Sequence, residues 1–171
     1  KFPKGKVLDL GSGEGRNSLY LAKKGFNVTS LDINSMSLAK LAQIAEAERL
    51  DIDIQPYNIE SADIPGGLYD VIISTVVLMF LDPYAIPDVI ENMQSHTAPG
   101  GFNLIVAAMS TEDAPRPMNF SKTFQSGELK NYYKGWIFHK HNEDFGNLHQ
   151  RDKDGNFIKM RFVSMFAQKP M

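Results

Sequence analysis

The 171-residue sequence predicts an α/β fold with a mostly parallel central sheet, helices on both faces and an antiparallel hairpin at the C-terminal edge. Between residues 6 and 108, five short apolar runs alternate with helix-like stretches, as expected for strands that helices cover on both faces. Such repeats imply right-handed crossovers and therefore parallel strands. From residue 136 onward strand-like segments follow one another, and the last two are joined by residues 152–155, whose Asp-Lys-Asp-Gly sequence is typical of a hairpin turn.

The first strand, predicted over residues 6–10, is followed directly by three alternate glycines at positions 11, 13 and 15. Glycine permits a tight turn and leaves room for a ligand, because a Cβ atom could restrict φ or fill that space. A helix predicted over residues 16–24 directs its N-terminal amides toward the same turn. We therefore expect a ligand to bind beside this loop.

The second strand, predicted over residues 27–31, ends on Asp32, which lies seventeen residues after Gly15. An acidic side chain in this position could accept both hydroxyls of a ribose, which predicts a nucleotide-like ligand. Asp32 could instead cap the helix predicted over residues 35–50, although Ser35 is better placed for that cap. The glycine spacing differs from the G-x-G-x-x-G pattern that is typical of dinucleotide-binding proteins.

Three further strands are predicted downstream, over residues 51–57, 69–74 and 102–108. One more helix is predicted over residues 83–97. Pro87 fits this helix only if the helix begins near it. Ligands in open α/β sheets gather at the carboxyl ends of strands, so Ser74, at the end of the fourth strand, is expected to face the same crevice as the glycines. We interpret the apolar run over residues 76–81 as core rather than as part of a ligand site.

After residue 109 the alternation of strands and helices gives way to a long loop, one short helix and successive strands. Residues 110–123 form a polar loop with two prolines, which we interpret as a lid over the crevice, with a disordered insertion as the alternative. A short helix, capped by Ser126, is predicted over residues 126–133. Strands are predicted over residues 136–142, 148–151 and 157–168.

Composition narrows the class of protein. Eighteen basic and 20 acidic residues give a formal net charge of −2, and no basic cluster is longer than a pair, so we expect no nucleic-acid partner. Without cysteine there is no disulfide framework, thiolate nucleophile or cysteine zinc site, which fits a reducing interior and predicts a cytoplasmic protein. No apolar run reaches the length of a membrane span, so we also expect no membrane partner.

The length of the chain fits one domain over residues 1–171. The sequence begins at Lys1 rather than at Met, and its first strand follows almost at once. We therefore expect that an upstream N-terminal segment is missing. The sequence does not distinguish a monomer from a homodimer.

The pattern Asp9-x-Gly11-x-Gly13-x-Gly15 resembles motif I of the S-adenosylmethionine-dependent methyltransferases. Further stretches resemble the TehB-type tellurite-resistance methyltransferases, and the resemblance extends from Gly5 to Lys169. These stretches are residues 10–22, 74–81, 99–109, 132–136, 142–144, 148–149 and 159–162. The resemblance implies a Rossmann-like class I methyltransferase fold.

The same resemblance implies S-adenosylmethionine as the methyl donor, S-adenosylhomocysteine as the product, and tellurite, selenite or another soft nucleophile as the acceptor. Asp9, Gly11, Gly13 and Arg16 would surround the methionine moiety, and Ser74 would lie near its amine. Asp32 would bind the ribose, and Asn58 and Ile59 would contact the adenine. The implied cofactor-binding set is Asp9, Gly11, Gly13, Arg16, Asp32, Ile33, Asn58, Ile59 and Ser74.

At the acceptor site, His149 matches the family and could donate a hydrogen bond to an oxyanion. Arg151 shares its face of a regular strand and is the second candidate catalytic residue. The sequence departs from the family pattern by having Gln150 and Phe157 where relatives carry arginine, and Asn58 where they carry aspartate.

His139 and His141 have a spacing that two metal ligands could use, but the sequence offers no third ligand, so no metal site is predicted. Methyl transfer from a sulfonium to a soft acceptor requires positioning more than it requires a general base. The absence of a catalytic triad or of paired carboxylates is therefore compatible with an enzyme. Two alternatives remain: a nicotinamide-dependent oxidoreductase and a non-catalytic cofactor-binding module.

Overall fold

The computed structural model describes residues 5–115 and 118–171, with only the main chain at His149. Within these residues seven strands form one sheet in the order β3-β2-β1-β4-β5-β7-β6. The strands are β1 Lys6–Leu10, β2 Asn27–Asp32, β3 Ile52–Pro56, β4 Tyr69–Thr75, β5 Thr97–Ala108, β6 Ile137–Arg151 and β7 Phe157–Gln168. β1 to β5 pair in parallel with one another, and β7 pairs antiparallel with both β5 and β6. The predicted fold, with an antiparallel hairpin at the C-terminal edge, is confirmed.

The helices of the described residues are α1 Arg16–Lys23, α2 Ser35–Glu48, α3 Ile86–Ser95 and α4 Glu128–Tyr132. In the central strand β1 every residue after Lys6 is buried. Because side chains alternate along a strand, both faces of β1 are therefore covered. Leu8 and Ile72 pair across β1 and β4 and belong to one cluster with Val89 of α3. On the other face, Asp9 is hydrogen-bonded to Ser18 of α1. The helices therefore cover both faces of the parallel region.

Two predicted helix caps are wrong. The N-cap of α2 is Asn34 rather than Ser35, and its side-chain oxygen accepts from the amides of Met36 and Ser37. The N-cap of α4 is Gly127, with a positive φ of 73°, rather than Ser126. The hydroxyl of Ser126 instead donates to Glu143 of β6, so tertiary contacts replaced the local capping that the sequence indicated.

The C-terminal hairpin also differs in detail from the prediction. Residues 137–151 form one continuous strand, β6, where two separate strands were predicted. The register shifts twice along β6, between Phe138 and Lys140 and between Asn147 and Arg151, so irregularities interrupt the alternation on which the prediction depended. None of the helices described in residues 5–115 and 118–171 combines the length and the apolar character needed to cross a bilayer.

Candidate active site

A cavity of about 470 Å³ opens at the carboxyl ends of β1, β2 and β4, beside the loop between β1 and α1. Its lining includes six residues of the predicted cofactor set, namely Gly11, Gly13, Asp32, Ile33, Asn58 and Ile59. It also includes residues that the sequence did not identify, namely Tyr57, Glu60, Val76, Val77, Phe80 and Leu81. Ligand pockets for small molecules typically measure about 300–1,000 Å³, so the cavity is large enough for one.

The two glycines of the lining are required for different reasons. A Cβ atom on Gly11 would lie 2.5 Å from Cγ2 of Val77, so this glycine lets the loop approach the segment after β4. A Cβ atom on Gly13 would meet nothing within 4 Å, although its φ of +55° still favours glycine. Gly13 therefore borders open space that a ligand could fill.

Asp32 connects the end of β2 to the glycine loop. Its Oδ2 atom accepts from the amide of Gly13 at 2.8 Å, and Oδ1 accepts from the amide of Asn34 at 2.8 Å. Each carboxylate oxygen has a further lone-pair direction, so both can also accept from a ligand hydroxyl. The carboxylate is thus held in a fixed orientation at the wall of the cavity.

The other side of the cavity is mainly apolar. Ile33 is 72% exposed and offers a large apolar surface to a ligand such as a flat ring, whereas Ile59, at 8% exposed, adds a small apolar patch to the wall. Asn58 precedes the 3₁₀ turn Ile59–Ser61, and its Oδ1 atom accepts from the amide of Glu60 at 3.1 Å. The Asn58 side chain is therefore oriented by the turn that it caps.

Asp9 lies beneath the loop rather than in the cavity lining. Its side chain is buried, and Oδ2 accepts from the hydroxyl of Ser18 at 2.6 Å; Ser18 in turn accepts from the hydroxyl of Ser30. Burial raises the pKa of the Asp9 carboxyl, and the hydrogen bond from Ser18 opposes that shift. This chain of hydrogen bonds fixes the first turns of α1 against β1 and β2.

Arg16 and Ser74 also lie outside the lining. Arg16 is exposed at the first position of α1. Ser74 is fully buried at the end of β4, and its hydroxyl has no hydrogen-bond partner among the described residues. The buried hydroxyl of Ser12 in the glycine loop has none either within the same part of the chain. Buried polar atoms are normally paired, so these two hydroxyls mark positions that a ligand or water could complete.

Our interpretation of residues 76–81 as core, rather than as part of a ligand site, is wrong for four of these six residues. Leu78 and Met79 are buried, but Val76, Val77, Phe80 and Leu81 line the cavity. Val76 has a φ of 60°, which is unusual for a β-branched residue, and its amide donates to the carbonyl of Val106. The backbone therefore leaves the β4 extension at Val76 and turns apolar side chains toward the cavity, which an apolar run alone does not reveal.

A second cavity, of about 300 Å³, lies next to the first where the hairpin meets β5. Val76 lines both cavities. The other described residues of its lining are Val106, Asp144, Phe145, Gly146, Asn147, Phe162 and Ser164.

The loop over residues 110–123 is attached to both regions in its described part. The ring of Phe120 packs edge to face on Phe80, with 5.5 Å between centroids, and the amide of Lys122 donates to the carbonyl of Met79. Asp113 accepts from Thr111 and from Arg161 of β7, and these hydrogen bonds hold the pKa of its carboxyl below the usual value. The loop thus contacts the cofactor cavity and the hairpin together.

The two predicted catalytic residues lie toward the end of β6. The side chain of His149 is outside the described residues. The guanidinium of Arg151 donates to the carbonyl of Gly155 at 2.6 Å and lies 4.0 Å from the ring centroid of Phe157. Arg151 therefore contacts the hairpin turn rather than the second cavity. Within residues 5–115 and 118–171, no group of three or more His, Asp or Glu side chains could hold a metal ion.

The residues present fit S-adenosylmethionine. The cavity has the volume of a small-molecule site, the space above Gly13 is open, and a fixed carboxylate faces an apolar wall. A nucleoside needs this combination of polar acceptor and flat apolar contact. The unpaired hydroxyl of Ser74 lies at the end of the neighbouring strand β4.

Comparison with known proteins identifies the family. The family model described as "Tellurite resistance protein TehB" matches residues 2–166. The chain belongs to this family. It is 54% identical over 164 residues to a "Probable S-adenosyl-L-methionine-dependent methyltransferase TehB" of Haemophilus influenzae strain 10810, covering 96% of the chain and 57% of the relative. It is also 42% identical over 165 residues to "Hemagglutinin 1" of Eikenella corrodens, covering 96% of the chain and 55% of that protein.

The crystal structure of TehB from Haemophilus influenzae superposes with a TM-score of 0.96 at 52% identity, covering 98% of the chain and 58% of the TehB chain. The predicted Rossmann-like methyltransferase fold and the predicted family are therefore confirmed. The chain spans somewhat more than half the length of the TehB relatives that it matches.

Proposed function

We propose that this chain is the catalytic region of an S-adenosylmethionine-dependent methyltransferase of the TehB type, acting on a small-molecule acceptor in the cytoplasm. The observation that carries the proposal is the cavity beside Gly13, whose missing side chain leaves open space next to the fixed carboxylate of Asp32. Membership of the TehB family supports the same reaction.

Five residues at the cavity and at the start of α1 would hold the cofactor in this proposal. Asp32 would accept from the ribose hydroxyls, because both of its oxygens are oriented by loop amides. Ile33 and Ile59 would enclose the adenine, and Asn58 would accept from its exocyclic amine while it caps the 3₁₀ turn. Arg16, exposed at the start of α1, would pair with the methionine carboxylate.

Asp9 and Ser74 lie outside the cavity lining and would contribute to cofactor binding in two different ways. Asp9 would position the loop through Ser18, and the unpaired hydroxyl of Ser74 would accept from the methionine amine. When bound, S-adenosylmethionine would supply a methyl group that is already activated on a sulfonium. The chain would align the acceptor with the breaking bond and exclude water, which can lower the barrier by several kcal/mol, on the order of 7 or more when alignment is optimal.

The acceptors that we propose from the family are tellurite, selenite or another soft nucleophile, with His149 and Arg151 as donors to an oxyanion. For Arg151 this role requires its guanidinium to leave the carbonyl of Gly155. Arg151→Ala tests the role directly. Loss of methyl transfer to tellurite and selenite, with the affinity for S-adenosylhomocysteine unchanged, would support it, whereas unchanged transfer would assign Arg151 to the turn alone.

Two measurements test the proposed function itself. Isothermal titration calorimetry should detect binding of S-adenosylhomocysteine and not of NADH, which would exclude the nicotinamide-dependent alternative. Transfer of a labelled methyl group to a panel of tellurite, selenite and thiols should occur at a rate above that of the reaction without protein. Binding without transfer to any acceptor would instead support a non-catalytic cofactor-binding module.

A further inference from the structure

The second cavity has a polar rim and apolar walls. Val76, Val106 and Phe162 supply apolar surface, and Asp144, Asn147 and Ser164 supply polar groups. Asp144 pairs with Phe162 across β6 and β7, so their side chains share one face of the hairpin. Residues of both hairpin strands and of β5 therefore converge on one concave surface.

The charge of this surface is negative. Asp144 is the only ionisable side chain among the described residues that line it. Arg161 is not in the lining: it pairs with Phe145 across the hairpin, its guanidinium lies 4.3 Å from the centroid of that ring, and it donates to Asp113 and to the carbonyl of Glu143. Among the described lining residues the cavity thus presents the carboxylate of Asp144, while the nearby Arg161 is already paired with Asp113.

Its size also bears on the occupant. A selenite or tellurite ion consists of one chalcogen atom and three oxygens, whereas the cavity measures about 300 Å³, at the lower end of the range for organic ligands. An oxyanion alone would leave most of this volume to water and would face a carboxylate. A small organic molecule would fill the space and contact both the apolar wall and the rim.

We propose that the second cavity binds the methyl acceptor, and that the acceptor is a small organic thiol carrying a positive charge, which Asp144 recognises. This inference rests on the proposed methyltransferase function and selects among its acceptors. Val76 lines both cavities, so the methyl group passes from the cofactor to the thiol beside this residue. The ammonium group lies toward Asp144 and the sulfur lies toward Val76.

The reaction at this site balances without a further reactant. The thiol first loses its proton to water. The thiolate sulfur then forms a bond to the methyl carbon as the carbon–sulfur bond of the sulfonium breaks, which gives a methyl thioether and S-adenosylhomocysteine. Asp144 takes no part in the bond changes, because it contacts the charged end of the acceptor.

The probes that test this inference are cysteamine, 2-mercaptoethanol and 3-mercaptopropionate, which carry positive, neutral and negative groups beside a similar thiol. The quantity to measure is the ratio of kcat/KM for cysteamine to kcat/KM for 3-mercaptopropionate. Intrinsic thiol reactivity differs among the probes but is the same for every variant, so it cancels when the ratios of two variants are compared. Selenite and tellurite are measured beside the thiols.

We expect Asp144→Asn to lower this ratio about three- to fivefold, the scale of one solvent-accessible ion pair. Asp144→Lys should lower it further, below the value for Asp144→Asn. Asp51→Asn is the matched control, because Asp51 is an exposed carboxylate next to β3, at the opposite edge of the sheet from β6, and it should leave the ratio unchanged.

The possible outcomes separate this inference from the proposed function. A ratio that is the same in wild type, Asp144→Asn and Asp144→Lys overturns the recognition by Asp144 while methyl transfer itself stands. Efficient transfer to selenite or tellurite with none to cysteamine overturns the thiol assignment. Failure to bind S-adenosylhomocysteine, or to methylate any probe, contradicts the proposed function instead. Calorimetry with S-adenosylhomocysteine and circular dichroism on each variant identify a loss of fold.

Discussion

The amide of Gly13 donates to Oδ2 of Asp32 at 2.8 Å, so the carboxylate at the end of β2 holds the loop that follows β1. Two strands thereby fix one edge of the cofactor cavity before any ligand arrives. A preformed site of this kind avoids part of the entropic cost of ordering the loop during binding. Its members can therefore be tested individually by measuring the affinity for S-adenosylhomocysteine.

Gly13 offers a prediction with a matched control. Gly13→Ala should weaken binding of S-adenosylhomocysteine by about tenfold or more, equivalent to roughly 1.4 kcal/mol, because the new methyl group enters cavity space. Gly67 also has a positive φ, and a Cβ atom on it would likewise meet nothing within 4 Å, but it does not line the cavity. Gly67→Ala should therefore carry the same kind of backbone strain with unchanged affinity. Equal affinities in the two variants, measured by calorimetry, would remove Gly13 from the site.

Asp32→Ala should weaken S-adenosylhomocysteine binding more than tenfold, because the hydrogen bonds to a ribose together contribute on the order of 2–4 kcal/mol. The change also removes the acceptor for the Gly13 amide. Asp32→Asn should fall between wild type and Asp32→Ala, since its single oxygen can satisfy only part of the same set of donors. Calorimetry measures the affinities, with Asp51→Asn as the exposed carboxylate control. An affinity that survives Asp32→Ala would exclude a ribose contact.

Asn58→Asp should bind S-adenosylhomocysteine as tightly as wild type or more tightly. The carboxylate can still accept from the amide of Glu60 and from the exocyclic amine of adenine. Asn58→Ala removes the cap and should lower the free energy of unfolding by about 1 kcal/mol as well as the affinity. Denaturant unfolding and calorimetry separate the two effects. Weaker binding by Asn58→Asp with an intact fold would show that this residue faces another group.

The buried carboxyl of Asp9 should make the free energy of unfolding depend on pH in a specific way. Because burial raises its pKa in the folded state, the folded protein holds the proton more tightly than the unfolded chain does. Its contribution therefore favours folding at low pH and is lost as the pH rises from the unfolded value of 3.8 through the raised folded value. Asp9→Asn keeps an acceptor for Ser18 and lacks this titration.

The free energy of unfolding of Asp9→Asn, relative to that of wild type, should thus increase as the pH rises from about 4 to 7. Urea titrations at several pH values measure this difference. Subtracting the wild-type values removes the contribution of other carboxylates. A difference that does not change with pH would mean that Asp9 titrates alike in both states.

The order of the parallel strands could be predicted because buried strands, glycines and polar strand ends are local signals, although β5 begins at Thr97 rather than at residue 102. β2 was predicted within one residue, and Asp32 lies beside Gly13 as the strand order requires. The caps at Ser35 and Ser126 were each wrong by one residue: the side chain of Asn34 caps α2, whereas Gly127 precedes α4 without a side-chain cap and the Ser126 hydroxyl donates to Glu143. Capping preferences rank residue types but do not fix the position where the helix begins.

The cavity wall over residues 76–81 could not be predicted from its composition. Buried core and the apolar wall of a ligand site have the same hydrophobic pattern. The segment turns at Val76, whose φ is left-handed, and the sequence has no glycine there to indicate such a turn. Tyr57 could have been predicted as a lining residue, because it follows β3 at the edge of the sheet where ligands bind. The position of Arg151 on the hairpin turn depends on register shifts in β6 that no alternation pattern indicates.

The edge-to-face contact of Phe80 and Phe120 links the first cavity to the loop over residues 110–123, because Phe80 lines that cavity and Phe120 belongs to the loop. A ligand that settles against Phe80 also stabilises the loop conformation that places Phe120 there. By thermodynamic reciprocity, anything that holds the loop in that conformation raises the affinity for this ligand by the same factor.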